Sequence, residues 1–344
     1  MIGKGNNKFA GSPGCRPLLQ MGMFFLLFLA LSLPVSAETP VREPEVSDNV
    51  FRFALSSRMF SEVRIEDAKA VMKVWILTVA GNRRIPVDPE PIIFDSLEEI
   101  IRASRNNLVD GFNVTTEECW RLSKEVKLNS VVVGIHNDQI TEEYVLLVRR
   151  DKGIESIDTL GGRSLRVLVN PRMSLAMIWL DSLLLRKGSK PAATYCSGVT
   201  SSSKLTQVVL PVFFGQSDAC LVTRRGFQTM SELNPQVGSQ LHVLASSPEV
   251  VPTVFVFRSD YISPFREKIL VEMGRLTATP AGQQILTLIQ ADRVEEQPMS
   301  CLTGAFDLLS THQELISATG RSKAGGGNLL KNETKPGKTI GRYP

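Results

Sequence analysis

Short runs of hydroxyl and basic side chains stand where helices are expected to begin, each after an apolar segment. The four runs are Ser56-Ser57-Arg58, Asp95-Ser96, Thr115-Thr116 and residues 170–174, which end in Ser174. The first N–H groups of a helix lack intrahelical partners, and the helix dipole makes this end positive. Such ends bind anions, so the residues predict an anion site. The alternative for each run is ordinary helix capping.

A basic pair could add positive charge to such a site. Arg224 and Arg225 follow Thr223 directly after the apolar residues 219–222. We expect Arg224 to lie near the same sheet edge as the helix starts.

Residues that could support catalysis are sparse. The three histidines, His136, His242 and His312, are far apart and lack acidic residues at motif spacing. The sequence contains no G-x-S-x-G or C-x-x-C motif. The acidic pairs are interpreted as solvated faces; they are Glu98-Glu99, Glu117-Glu118, Glu142-Glu143 and Glu295-Glu296. The sequence therefore favours a binding protein without catalytic residues, metal or cofactor.

The elements that must position these residues alternate between short apolar strands and helical periodicity, which is typical of parallel sheets with crossover helices. The sequence predicts strands over 51–55, 92–94, 109–114, 131–133, 144–148, 165–169, 194–196, 219–222 and 251–258. It predicts helices over 65–79, 97–103, 174–186, 205–213 (interrupted at Pro211), 265–277, 280–291 and 302–316.

The first 37 residues have the order of a secretory signal. Lys4, Lys8 and Arg16 precede an apolar run over 18–35, and residues 35–37 (Val-Ser-Ala) fit a cleavage site. This order predicts a signal peptide over 1–37 and a periplasmic protein. The alternative is an uncleaved membrane anchor, because the apolar run is just long enough to span a bilayer.

The C-terminal residues 321–344 contain six Lys and Arg residues, one Glu and a run of three glycines. Such a segment cannot bury a core, so the sequence predicts a disordered, solvated basic tail. Three of the 39 basic residues fall in 1–37, so the exported chain is nearly neutral against its 35 acidic residues. This balance argues against nucleic acid as a partner.

Four cysteines remain in the exported chain: Cys119, Cys196, Cys220 and Cys301. In an oxidising compartment they permit two bridges with three connectivities. Their apolar contexts fit buried free thiols at least as well, so the pairing stays open.

Several longer patterns occur in a fixed order. Residues 154–163 read Ile-Glu-Ser-Ile-Asp-Thr-Leu-Gly-Gly-Arg before the Leu-Arg-Val of 165–167, and residues 215–219 read Gly-Gln-Ser-Asp-Ala. With residues 230–237 and 279–286, these segments resemble the phosphate, phosphite and phosphonate-binding branch of periplasmic solute-binding proteins. The resemblance extends over about residues 50–295.

The resemblance implies an α/β protein with a two-lobed periplasmic-binding-protein fold of the type II kind. Each lobe would be a mostly parallel sheet flanked by helices, with the ligand cleft between the lobes. It places lobe 1 in 38–148, lobe 2 in 149–250, and the return to lobe 1 with the C-terminal helices in 251–320. The ligand-binding residues it implies are Ser56, Ser57, Arg58, Thr115, Thr116, Ser174, Ser203 and Arg224.

The resemblance further implies a monomer that captures a small anionic ligand for the permease of an ABC importer. The alternative is a ligand-sensing partner of a membrane signalling protein. Met173 stands where the family carries a small polar residue, and residues 201–204 (Ser-Ser-Ser-Lys) stand where it often carries a histidine–acid pair. The ligand therefore stays open between the family's anions and a larger organic molecule.

Overall fold

The computed structural model describes residues 50–60 and 63–326, with all side chains except those of residues 79, 82, 83 and 320–326. The signal peptide predicted over 1–37 lies outside these ranges. None of the helices within them combines the length and hydrophobicity that spanning a bilayer requires.

The chain first builds most of one lobe. Its elements are β1 (Phe53–Ser56), α1 (Ile65–Arg83), β2 (Ile92–Phe94), α2 (Leu97–Arg105), β3 (Gly111–Thr115), α3 (Thr116–Leu122) and β4 (Leu128–Ile135).

The second lobe follows without interruption. Its elements are β5 (Tyr144–Arg149), β6 (Ser164–Leu168), α4 (Ala176–Arg186), α5 (Ala192–Tyr195), β7 (Gly198–Ser202), α6 (Leu205–Phe213), β8 (Ala219–Thr223), α7 (Arg224–Leu233), α8 (Pro235–Gln240) and β9 (Leu241–Ser246).

The chain then returns to the first lobe. The returning elements are β10 (Thr253–Arg258), α9 (Phe265–Gly274), α10 (Pro280–Leu288) and β11 (Arg293–Gln297). The C-terminal helix α11 (Thr303–Gly326) follows and packs on both lobes.

Two sheets form the centres of the lobes. The strand order is β11-β4-β10-β3-β1-β2 in the first sheet and β7-β6-β8-β5-β9 in the second. Strands β1, β2 and β3 pair in parallel, as do β6, β7 and β8. Strand β10 in the first sheet and β5 in the second pair antiparallel with their neighbours, so both sheets are mixed.

The chain crosses between the lobes twice, over residues 136–143 and 247–252. The two crossing segments pair where Glu142 and Val250 exchange backbone hydrogen bonds of 2.8 and 3.0 Å. The predicted boundary after residue 148 is wrong, because β5 pairs with β8 and β9 in the second sheet. Its residues Tyr144 to Val148 are fully buried, which suits the interior of that sheet.

Apolar residues cover both faces of the first sheet and the interior of the second lobe. One face packs against α1, α9 and α10, and the other packs against α2 and α3. The C-terminal helix α11 contacts α4 of the second lobe as well as α3 of the first. Its residues Ala305, Leu308 and Leu309 belong to the core of the second lobe.

The structure contradicts three sequence predictions, at residues 194–196, at Pro211 and at the start of the predicted tail. Residues 194–196 were expected to form a strand, but α5 ends at Tyr195 and the strand is the more polar β7. Pro211 does not interrupt α6; it leaves the Gln207 carbonyl without its usual helical donor, and the Arg166 guanidinium donates to this oxygen at 3.4 Å. Helix α11 continues to Gly326, so residues 321–326 are helical and the rest of the predicted tail lies outside the described ranges.

Candidate ligand-binding site

The predicted helix starts lie at the carboxyl ends of strands in each sheet. These ends face the segments that cross between the lobes. Ser56 ends β1 and Thr115 ends β3 in the first lobe. In the second lobe, Ser203 follows β7 and Arg224 follows β8. Because the carboxyl ends of parallel strands share one edge of a sheet, each lobe gathers its own polar residues there.

The Pro252 carbonyl joins the two lobes. It accepts the backbone N–H of Thr116 from the first lobe at 2.9 Å and the hydroxyl of Ser174 from the second at 2.7 Å. The Tyr144 hydroxyl adds a nearby bond by donating to the Arg172 carbonyl at 3.0 Å. Thr116 and Ser174 thus hold the two lobe edges against the second crossing segment.

A buried carboxylate organises the edge of the first lobe. Glu118 is only 2% exposed and accepts the hydroxyl of Ser56 at 2.7 Å. It also accepts the backbone N–H and the hydroxyl of Thr115 at 2.9 and 3.0 Å, which completes a capping box at the start of α3. The hydroxyl protons of Ser56 and Thr115 are therefore already used within the protein.

The arginines at the junction are paired with acidic side chains. Arg58 donates to Glu117 at 2.9 Å, Arg172 pairs with Glu142, and Arg224 pairs with Glu143. The interpretation of these acidic pairs as solvated faces is wrong for Glu118 and Glu142, which are 2% and 4% exposed. Ser56, which donates to Glu118, and Arg172, which pairs with Glu142, are remote in sequence, so local pattern did not reveal these contacts.

The pairing of Arg224 with Glu143 shifts the pKa of the Glu143 carboxyl. The hydrogen bond from Arg224 lowers the pKa of the Glu143 carboxyl, and burial opposes that shift. Arg224 also donates to the Ser246 hydroxyl at 2.7 Å. Its guanidinium is therefore fixed at the start of α7.

Ser174 does not begin a helix. The turn before α4 is capped by Asn170, whose side chain accepts the N–H of Met173 at 3.1 Å. The Ser174 N–H donates to Pro171 at 3.3 Å, and α4 begins two residues later at Ala176. The amide of Ser174 is thus already bonded, and its hydroxyl contacts Pro252.

The start of α6 differs from those at Ser56, Thr115 and Thr223, where a side-chain oxygen accepts a backbone N–H. No side chain caps this helix, and the exposed Lys204 occupies its N-cap position. Within the described part of the chain, neither the Ser203 hydroxyl nor the Lys204 ammonium has a hydrogen-bond or ion-pair partner. Ser202 fixes the loop by donating to Gln207 at 2.7 Å and accepting the Lys204 N–H at 3.1 Å.

The remaining predicted residues directly follow strands β1 and β3 of the first lobe. Ser57 is half-buried in the turn that follows β1, and Arg58 is exposed. The Thr116 hydroxyl is buried without a hydrogen-bond partner in the described ranges. Lys204 was not among the predicted residues, although its charge directly before α6 was visible in the sequence.

Potential metal ligands do not converge in the described residues. No three His, Cys, Asp or Glu side chains there could hold a metal ion together. His136 lies 3.3 Å from Asp292, while the other two histidines each have a buried ring nitrogen without a partner. The four described cysteines are free thiols, which resolves their open pairing.

Comparison with known proteins supports the resemblance found in the sequence. The family model described as the periplasmic substrate-binding protein of phosphonate ABC transporters matches residues 82–300, more than half of the chain. No curated protein is similar enough in sequence to match the chain.

Solved structures share the fold at low sequence identity. A binding-protein component of an ABC phosphonate transporter from Pseudomonas aeruginosa has a TM-score of 0.52 and 15% identity, covering 82% of this chain and 96% of its own. A Xanthomonas citri protein solved with bound ATP has a TM-score of 0.57 and 14% identity, covering 78% of this chain and 98% of its own. These likenesses confirm the two-lobed α/β fold.

Proposed function

Because the chain belongs to the family of periplasmic substrate-binding proteins of phosphonate ABC transporters, we propose that it captures a small anionic ligand between its lobes for an importer. The proposal includes export through the N-terminal signal segment. The ligand would enter between the two sheet edges and be released to a membrane permease.

The observation that carries the anionic assignment is the uncapped start of α6. The Gln207 N–H donates to the Lys204 carbonyl at 3.0 Å. The helix dipole and the earlier N–H groups, which no side chain caps, favour negative charge there. Lys204 adds a full positive charge, and Ser203 adds a hydroxyl without a competing partner. Unlike the starts at Ser56, Thr115 and Thr223, this one has no side-chain cap with which an anion would compete.

The other predicted residues take two different roles in this proposal. Ser57, Arg58 and Arg224 would contact the ligand with Ser203, and an incoming anion would compete with Glu117 and Glu143 for the two arginines. The more buried set would position these groups through Glu118 and Pro252; it consists of Ser56, Thr115, Thr116 and Ser174.

A thermal-shift screen of the purified protein tests the proposal. The panel contains phosphate, phosphite, methylphosphonate, methanesulfonate and ATP, with choline chloride as the cationic control. A ligand at 100 times its Kd stabilises the folded state by about 2.7 kcal/mol. We expect at least one anion to raise the melting temperature by several degrees. Stabilisation by none of the anions would contradict the proposal.

A further inference from the structure

An apolar cavity of about 80 Å³ lies inside the first lobe. It separates one face of the first sheet from α1, α9 and α10. A cavity needs only about 10–15 Å³ to hold one water molecule, so this one has room for a larger group. Its apolar wall includes Phe53, Trp75, Val132, Phe255, Ile285 and Val294.

One end of this cavity is polar and reaches the lobe junction. Asn113 and Thr253 line it on neighbouring strands β3 and β10, and Pro252 and Arg172 complete this end. Asn113 pairs directly with Phe255, two residues from Thr253, so both polar side chains face the cavity. Neither side chain has a hydrogen-bond partner within the described ranges.

Asn113 and Thr253 are half-buried, so their polar groups stay accessible at this end of the cavity. Within the described residues, no protein group competes for the Asn113 carboxamide or the Thr253 hydroxyl. A ligand at this end can therefore bond to both side chains.

Arg172 connects this end of the cavity to the second lobe. Its guanidinium donates to the Gln290 carbonyl of the first lobe at 2.8 Å and pairs with Glu142 of the crossing segment. Separation of the lobes that moved Arg172 would uncover the polar end. The cavity is therefore positioned to receive part of a molecule that enters between the lobes.

We propose that the ligand carries a short alkyl chain or a ring that fills this cavity. The Asn113 carboxamide and the Thr253 hydroxyl bond to the polar group at the base of that substituent. The inference rests on the proposed function for the position of the anionic head. It narrows the ligand class from a bare inorganic anion to an organic molecule with an apolar substituent.

Two homologous series test the proposal, read by calorimetry and by the fluorescence of Trp75, which lines the cavity. One series is the n-alkylphosphonates from one to eight carbons, and the other is the 1-alkanols over the same lengths. A buried methylene contributes about 0.8 kcal/mol, so affinity should rise about fourfold per added carbon until the cavity is full. The alkanols probe the cavity without an anionic head.

Variants on the two faces of β4 provide the matched controls. Val132 lines the cavity, whereas Val133 packs on the opposite face of the same strand. Val132→Phe should remove the gain per carbon by filling the space, and Val132→Ala should move the plateau to longer chains. Val133→Ala removes the same number of atoms and should leave the plateau unchanged.

Asn113→Leu tests the polar end. The loss of one hydrogen bond should weaken alkanol binding by about two- to twelvefold while the gain per carbon is kept.

The results separate this inference from the proposed function. A flat affinity across the alkanol series, or a gain that persists in Val132→Phe, overturns the cavity assignment. Should Val132→Phe fail to fold, an unchanged plateau in Val132→Ala overturns it equally. A chain-length gain for alkanols with no binding of any phosphonate would keep the cavity and contradict the phosphonate-like anion.

Discussion

Thr116 and Ser174 donate to the same carbonyl oxygen, that of Pro252, although they belong to different lobes. Both residues were predicted to bind ligand because each stands near a helix start. The structure uses them to fix the two sheet edges on the second crossing segment. Two residues predicted from the same local pattern, a hydroxyl near a helix start, therefore bond to one carbonyl oxygen. The pattern did not predict this role in joining the lobes.

Ser174→Ala should reduce stability by removing one of these two bonds. The lost hydrogen bond is partly buried, so the free energy of unfolding should fall by about 0.5–1.5 kcal/mol. Urea denaturation measures the change. Ser201→Ala, an exposed serine in β7, is the control and should change stability by less than about 0.5 kcal/mol. Equal effects of both variants would contradict a stabilising hydrogen bond from Ser174 to Pro252.

Glu118→Gln should be more damaging than its neighbour Glu117→Gln. Three donors from Ser56 and Thr115 converge on the Glu118 carboxylate, and an amide would turn an NH₂ group toward at least one of them. We expect a loss of about 1–3 kcal/mol for Glu118→Gln. Glu117 forms a more exposed ion pair, worth at most about 1 kcal/mol. Chemical denaturation that ranks the two variants in reverse order would contradict the buried cluster.

Acidification should weaken the Arg224–Glu143 pair. The hydrogen bond from Arg224 lowers the pKa of Glu143 below its usual 4.5. The pair therefore stabilises the folded state fully above pH 4.5 and loses this effect as the pH falls through the lowered value. The difference in unfolding free energy between wild type and Glu143→Gln should shrink between pH 6 and pH 3. A difference that stays constant over this range would show that Glu143 is not held by Arg224.

The cysteines should differ in reactivity. Burial, reinforced by Cys301, raises the pKa of Cys119 to about 12, and burial also raises the pKa of Cys220. Iodoacetamide labelling of the native protein should modify the half-buried Cys301 first and protect Cys119 and Cys220 until the protein unfolds. Peptide mass spectrometry reads the order; early alkylation of Cys119 would contradict its buried position.

Local patterns predicted the elements whose signals lie within a few residues. The capping box at Thr115 and the alternation of strands and helices both follow from short-range chemistry. Strand β7 was missed because it is a largely exposed edge strand that carries Val199 as its one apolar residue. The lobe boundary was misplaced because the apolar sequence of β5 suits the interior of either sheet. Only its pairing partners show that it belongs to the second lobe.

The site was harder to predict because its hydrogen bonds join remote segments. Ser56 and Glu118 are 62 positions apart, and Ser174 and Pro252 are 78 apart. Sequence position alone showed hydroxyls near helix starts but could not show which were already bonded. The partners of Arg58 and Arg224 were hidden for the same reason.

Calorimetric titration of Ser203→Asp tests the central claim most directly, using the anion that most raises the melting temperature in the screen. The substitution puts a carboxylate at the start of α6, where Asp is also an acceptable residue for a helix start. The matched control is Ser197→Asp, which adds the same charge before the other end of β7. Capture of an anion at α6 predicts at least a tenfold loss of affinity in Ser203→Asp and wild-type affinity in Ser197→Asp. Wild-type affinity in Ser203→Asp would contradict it.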